Sequence, residues 1–119
     1  MTNEHPVQVG FAPGFRKDIK RLRKKYPHIE QDLRPLIDQL MNGEIPGDQV
    51  QSTGYTVYKV RLPNRDAQRG KSGGYRVIYY IQIPQHIILL TIYSKSERSD
   101  TGMDAIQNII SDVSDDADE

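Results

Sequence analysis

Lys59, Arg61, Arg76 and Lys95, with Tyr80 and Tyr93, are the residues of this 119-residue chain whose types and spacing could do chemistry. Each lies in a segment that reads as extended, and within each segment the steps between them are even. One side of a sheet could therefore present all of them. Like charges on neighbouring strands repel, so an anion would compensate such a set, although an ordinary solvated sheet face gives the same alternation. The chemistry that suits these groups is phosphodiester cleavage, where catalysis is mostly positioning and stabilisation of charge on phosphate oxygens. An arginine can hold a phosphate in two-point contact. With RNA as substrate, a base must take the 2′-hydroxyl proton and an acid must protonate the leaving 5′ oxygen. The base is the difficulty, because a free lysine titrates near about 10.4 and only clustered cations would lower that value.

Other chemistries find no support. His5, His28 and His86 fall in the N-terminal arm, at a helix start and beside a turn. No pair of them shares a face, which argues against a metal site and a two-histidine mechanism. There is no spaced carboxylate pair on the strands. The loop from residue 63 to 73 carries Arg65, Arg69 and Lys71 but lacks the spacing of a phosphate-binding P-loop.

Three strands must position the candidate residues: 56–62, 74–83 and 86–95, each with period-two alternation. Tyr58, Val60 and Leu62 fall on one face with Tyr75, Val77, Tyr79 and Ile81, and with Ile88, Leu90, Ile92 and Ser94. That face needs covering. The opposite face collects Lys59, Arg61, Arg76, Tyr80, Tyr93 and Lys95, which are expected to lie open to solvent.

Upstream, Val7, Val9 and Phe11 alternate in a short strand placed at a sheet edge by Pro6. Phe15, Ile19, Leu22 and Tyr26 mark one face of a helix whose other positions are nearly all basic, among them Lys17, Lys20, Arg21 and Lys24. A second helix is expected from His28 to Met41, kinked or split at Pro35. Residues 45–54 read as a linker, with Pro46-Gly47 as a turn. After Arg98, Thr101-x-x-Asp104 resembles a capping box ahead of the apolar face Met103, Ile106, Ile109, Ile110 and Val113. The order of elements is that of an α+β domain: a small, mostly antiparallel sheet with an N-terminal helical hairpin and a C-terminal helix, the helices gathered on one face. One domain is expected over residues 1–113, with residues 114–119 as an acidic, disordered tail.

The zero net charge conceals a polarity. Residues 1–98 hold all 16 basic side chains against nine acids, a net +7, and the remainder holds seven acids and no base. A basic body suggests contact with a polyanion. The chain has no cysteine, which fits a reducing compartment. Nothing at the N-terminus has the pattern of a signal peptide, and no apolar run is long enough to span a bilayer. A soluble, cytoplasmic protein is expected.

The segments Tyr58-Lys59-Val60-Arg61, Gly70-Lys71-Ser72-Gly73-Gly74-Tyr75-Arg76-Val77-Ile78-Tyr79-Tyr80 and Leu90-Thr91-Ile92-Tyr93-Ser94-Lys95-Ser96-Glu97 resemble the RelE/ParE toxin superfamily, most closely its HigB-like branch. The resemblance spans Phe11 to about Val113. It implies the RelE fold, related to microbial ribonucleases, and a type II toxin that cuts mRNA in the ribosomal A site without metal or cofactor. It also implies an antitoxin encoded nearby. By position, Lys59 matches a lysine near the scissile phosphate and Arg76 an arginine that stabilises the transition state. Arg61 stands where RelE has a lysine proposed as base, and arginine stays protonated. Facing direction points to Tyr93 and Lys95 for the acid and base. Lys17, Lys20, Arg21, Lys24, Arg65, Arg69, Lys71 and Tyr80 are candidates for RNA or ribosome contact. The alternatives are a ParE-like inhibitor of DNA gyrase and a catalytically inactive nucleic-acid- or antitoxin-binding module.

Overall fold

A computed structural model of the chain describes residues 7–67, 74–97 and 102–117. Strand β1 (Gln8–Phe11) leads into helices α1 (Pro13–Lys25) and α2 (Ile29–Met41). Strands β2 (Asp48–Gln49), β3 (Val57–Leu62), β4 (Tyr75–Ile83) and β5 (His86–Ser94) follow, then helix α3 (Met103–Ala117). The sheet order is β1-β5-β4-β3-β2, so β1 is an edge strand, as Pro6 suggests. It pairs with β5 in parallel, while all other pairings are antiparallel.

The helices cover both faces of this sheet, not one. Phe15, Ile19 and Leu22 of α1 and Ile29, Leu33, Leu36 and Leu40 of α2 pack on Val60, Leu62, Tyr75, Val77, Tyr79, Leu89 and Ile92. On the opposite face, Ile106 and Ile110 of α3 pack with Val57, Ile78, Tyr80, Ile88, Leu90 and Tyr93. A fully buried isoleucine contributes roughly 1.5–3 kcal/mol. The described side chains therefore hold α3 far less firmly than the helical hairpin. Its capping box falls partly on Thr101, outside the described residues; Gln107 Nε2 donates to the Thr53 carbonyl at 2.8 Å.

The face assignment expected for β5 also changes. The pairing slips between Ile78 and Tyr79, which face Thr91 and Leu89, so Leu90 is an extra residue. A bulge of this kind switches side-chain parity along the strand. Leu89 consequently joins the α1/α2 core, and Ile88 and Leu90 join the α3 core. Beyond the bulge the expected parity holds, with Ile92 and Tyr93 in opposite cores.

Pro35 lies inside α2 without interrupting it. Its ring and the Gln31 carbonyl it deprives of a donor belong to exposed residues, so water can satisfy that carbonyl. The start of α2 is fastened to the segment after β3. The Asp66 carboxylate accepts from the His28 backbone N–H at 2.8 Å and lies 2.7 Å from His28 Nδ1. Buried Asp32 accepts from the Arg65 backbone N–H at 3.0 Å and from its Nε at 2.8 Å.

The hydrogen bond to the His28 side chain, aided by its backbone N–H, outweighs burial and holds the Asp66 carboxyl below its ordinary value. A carboxyl depressed in the folded state stabilises fully above its unfolded pKa, and that contribution is lost as pH falls through the folded value. Asp66→Asn should therefore lower the thermal midpoint at pH 7, with the gap to wild type shrinking at pH 3. A gap that persists unchanged at pH 3 would mean the anchor does not depend on the carboxylate charge.

Candidate active site

Strand β3 places Lys59 and Arg61 on the face opposite the helical hairpin. Arg61 pairs with Arg76 of β4, and Arg76 pairs with Tyr93 of β5. Just past β5, the Lys95 backbone N–H donates to the Gly74 carbonyl at 3.0 Å, which carries the register one step further. The result is a cavity of about 480 Å³ lined by Gly47, Asp48, Lys59, Arg61, Arg76 and Lys95. The four cations expected from strand parity are thus brought together. Arg76 is not on an open face as expected: it is 6% exposed, and its Nη1 donates to the Tyr75 carbonyl at 3.3 Å. A buried guanidinium with its fork toward a cavity is suited to an anion that replaces its lost water.

Gly47 and Asp48 belong to residues 45–54, which read as linker in the sequence. Asp48 pairs with Lys59 and Gln49 with Tyr58, adding a two-residue edge strand to β3. Gly47 makes that approach possible. Its φ is +96°, and a Cβ there would lie 2.4 Å from the Lys59 carbonyl oxygen. From the other side, the Tyr79 phenol donates to the Pro46 carbonyl. Burial, with the Tyr58 phenol stacked beside it, pushes the Tyr79 hydroxyl up from its ordinary value, so it remains a donor. The signal available in the sequence was a Pro-Gly turn followed by an acid, which does not distinguish a site wall from a surface turn.

The two tyrosines assigned to the basic face are not open to solvent. Tyr93 is 1% exposed within the α3 core, beside Arg76 in register but not among the cavity-lining residues. Tyr80 is buried in the same core, edge-to-face with Tyr55 at 5.6 Å. Burial, and then Tyr55, pushes its phenol up. The reason for both is α3, whose position over this face the strand pattern does not reveal.

Lys17, Lys20, Arg21 and Lys24 are exposed on α1, across the sheet from the cavity. Arg21 is engaged with Glu97 at 2.8 Å. Arg65 is bound to Asp32 and, through Nη1, to Gln31 at 2.9 Å, so its clearest work is holding the loop to α2. Arg69 and Lys71 lie outside the described residues. A larger hollow of about 580 Å³ runs between α1 and α2, lined by Phe11, Phe15, Ile19, Leu33 and Ile37 with charged residues such as Arg16 and Glu30. Size alone would favour it, but it gathers no set of groups suited to bond cleavage. Among the described residues, no group of three or more His, Asp or Glu side chains is placed to hold a metal ion.

Fold and cavity together define a small α+β protein with a cation-lined cavity on a sheet whose opposite face carries a helical hairpin. A family model described as the RelE toxin of the RelE / RelB toxin–antitoxin system matches residues 15–114. The chain belongs to this RelE toxin family, and the fold expected from the resemblance is the one observed. None of the helices in the described residues is long and apolar enough to cross a membrane.

Proposed function

We propose that this toxin is an endoribonuclease that cuts mRNA in the ribosomal A site, held silent by a RelB-type antitoxin encoded beside it. The observation that carries this reading is the convergence of Lys59, Arg61, Arg76 and Lys95 on one cavity. Arg76 and Arg61 hold the scissile phosphate and meet the charge that builds on its oxygens. Lys59 adds a third positive contact, and Lys95, at the exposed rim, is free to deliver a proton to the leaving oxygen. The chemistry needs neither a metal nor a cofactor. Ribosome-programmed translation reactions, followed by primer extension, test the reading: added protein should produce breaks within the A-site codon.

Naked mRNA should be a poor substrate. The cavity supplies phosphate contacts, but both tyrosines expected on that face are buried, so neither offers a platform for stacking a base. The ribosome supplies the alignment instead. Rapid, site-specific cutting of free mRNA by purified protein would contradict this.

Lys95→Ala should slow single-turnover cleavage on saturating ribosomes by about 10²-fold, the scale of one acid–base group. Tyr93→Phe should leave that rate within about threefold, because the ring packs in a core and the hydroxyl does not line the cavity. The reverse ranking would move the proton donor from Lys95 to Tyr93.

A further inference from the structure

We infer that Asp48 is the general base of the cleavage reaction, an inference that rests on the reading of the cavity as an mRNA-cutting site. Asp48 is the single carboxylate among the described residues lining that cavity. It stands directly opposite Lys59 in the β2–β3 pairing, and residues so paired project from the same face of a sheet. The charged groups it meets there are Lys59 and Arg61 from β3, Arg76 from β4 and Lys95 beyond β5. The Tyr79 phenol, on the hairpin side of the sheet, is engaged with the Pro46 carbonyl.

Three features hold this acid in place. The Tyr79 hydrogen bond fixes Pro46, the close passage of Gly47 over the Lys59 carbonyl fixes the turn, and the Val50 N–H donates to the Val57 carbonyl at 2.8 Å on the far side. An edge of two residues needs no such fastening for the sake of the sheet. A proton acceptor does, because acid–base catalysis requires hydrogen-bond reach to a particular atom.

Each cation is unfit for the task that Asp48 can perform. Arginine does not give up its proton in proteins, and a protonated lysine has no lone pair to offer. The carboxylate takes the proton of the 2′-hydroxyl, and the freed oxygen attacks the adjacent phosphorus. The bond from phosphorus to the 5′ oxygen breaks with its electron pair on that oxygen, which takes a proton from the Lys95 ammonium. The products are a 2′,3′-cyclic phosphate and a 5′-hydroxyl end. Asp48 is left protonated and Lys95 neutral, and exchange with water restores both.

The test is single-turnover cleavage of mRNA on saturating ribosomes by wild type, Asp48→Asn and Asp48→Glu. Binding is measured in parallel on ribosomes whose mRNA carries a 2′-deoxy nucleotide at the scissile position. Asp48→Asn should cleave at least about 10²-fold more slowly. It should bind at least as tightly as wild type, because a negative charge has been removed from beside a phosphate, and its thermal midpoint should be unchanged. Asp48→Glu should recover at least about tenfold over the Asn variant. With a carboxylate base the wild-type rate stays level between about pH 6.5 and 9, whereas a lysine base would make it climb, since carboxylates and amines ordinarily titrate on opposite sides of that range. An Asn variant within about threefold of wild type, or one whose slowing is matched by lost binding or a lost fold, would overturn the inference while leaving the nuclease reading intact. Wild-type protein that leaves ribosome-bound mRNA uncut would overturn both.

Discussion

Arg76→Ala should lose cleavage of ribosome-bound mRNA by about 10²- to 10³-fold, the usual consequence of removing one preorganised group that meets transition-state charge. The guanidinium belongs to a residue that is 6% exposed, lines the cavity and pairs in register with Arg61 on one strand and Tyr93 on the other. Burial strengthens its field at the phosphate, because little water competes for it. The same burial makes the charge costly in the empty site. Its removal therefore returns part of the desolvation penalty, which offsets the packing lost with the aliphatic stem. The thermal midpoint should move little while growth arrest on induction disappears. Arg76→Lys should fall between, keeping the charge and losing the planar fork. Cleavage at the wild-type rate by the Ala variant would remove Arg76 from the site.

Gly47→Ala should damage both stability and activity. A left-handed φ of +96° strains any side chain, and the new Cβ would meet the Lys59 carbonyl at 2.4 Å and Val60 Cβ at 2.9 Å. Backbone strain of this type costs about 1–3 kcal/mol, a large share of the roughly 5–15 kcal/mol that holds a domain together. The cheapest relief is for β2 to lift from β3, which withdraws Asp48 and opens one wall of the cavity. Gly54→Ala separates the two effects: its φ is +84°, but nothing lies within 4 Å of the added carbon. Both variants should melt earlier than wild type, and only Gly47→Ala should lose most of its cleavage at a temperature where both are folded. Equal losses of activity would mean that strain alone is at work.

Much of this arrangement is legible in the sequence, for reasons that also mark where legibility stops. Period-two alternation locates β3, β4 and β5 to within a residue, because each has one face packed against a helical hairpin. The same parity brings Lys59, Arg61, Arg76 and Lys95 to one place. Alternation cannot show a bulge, so the extra residue at Leu90 inverts the faces of Ile88 and Leu89 without leaving a trace in composition. Nor can it show what covers a second face. Tyr80 and Tyr93 look like site residues when that face is taken as open, and prove to be core once α3 lies over it. Asp48 is hidden for a different reason: a strand of two exposed residues has no period to read, and Pro46-Gly47-Asp48 has the composition of any surface turn.

The parallel pairing of β1 with β5 sets an order on assembly during synthesis. Gln8 waits for His86, and the strand between β1 and β4 is the last of the five to be made. Until it arrives, the helical hairpin can pack only on β1, β3 and β4, and β1 has no partner in the sheet. Such long-range pairings close late, since the entropy of bringing distant segments together precedes any gain from their contact. Lys95 follows β5 directly, so the four cations cannot come together before the chain has been made through that residue. The four cations of the cavity thus come together only when the final strand has paired with β4.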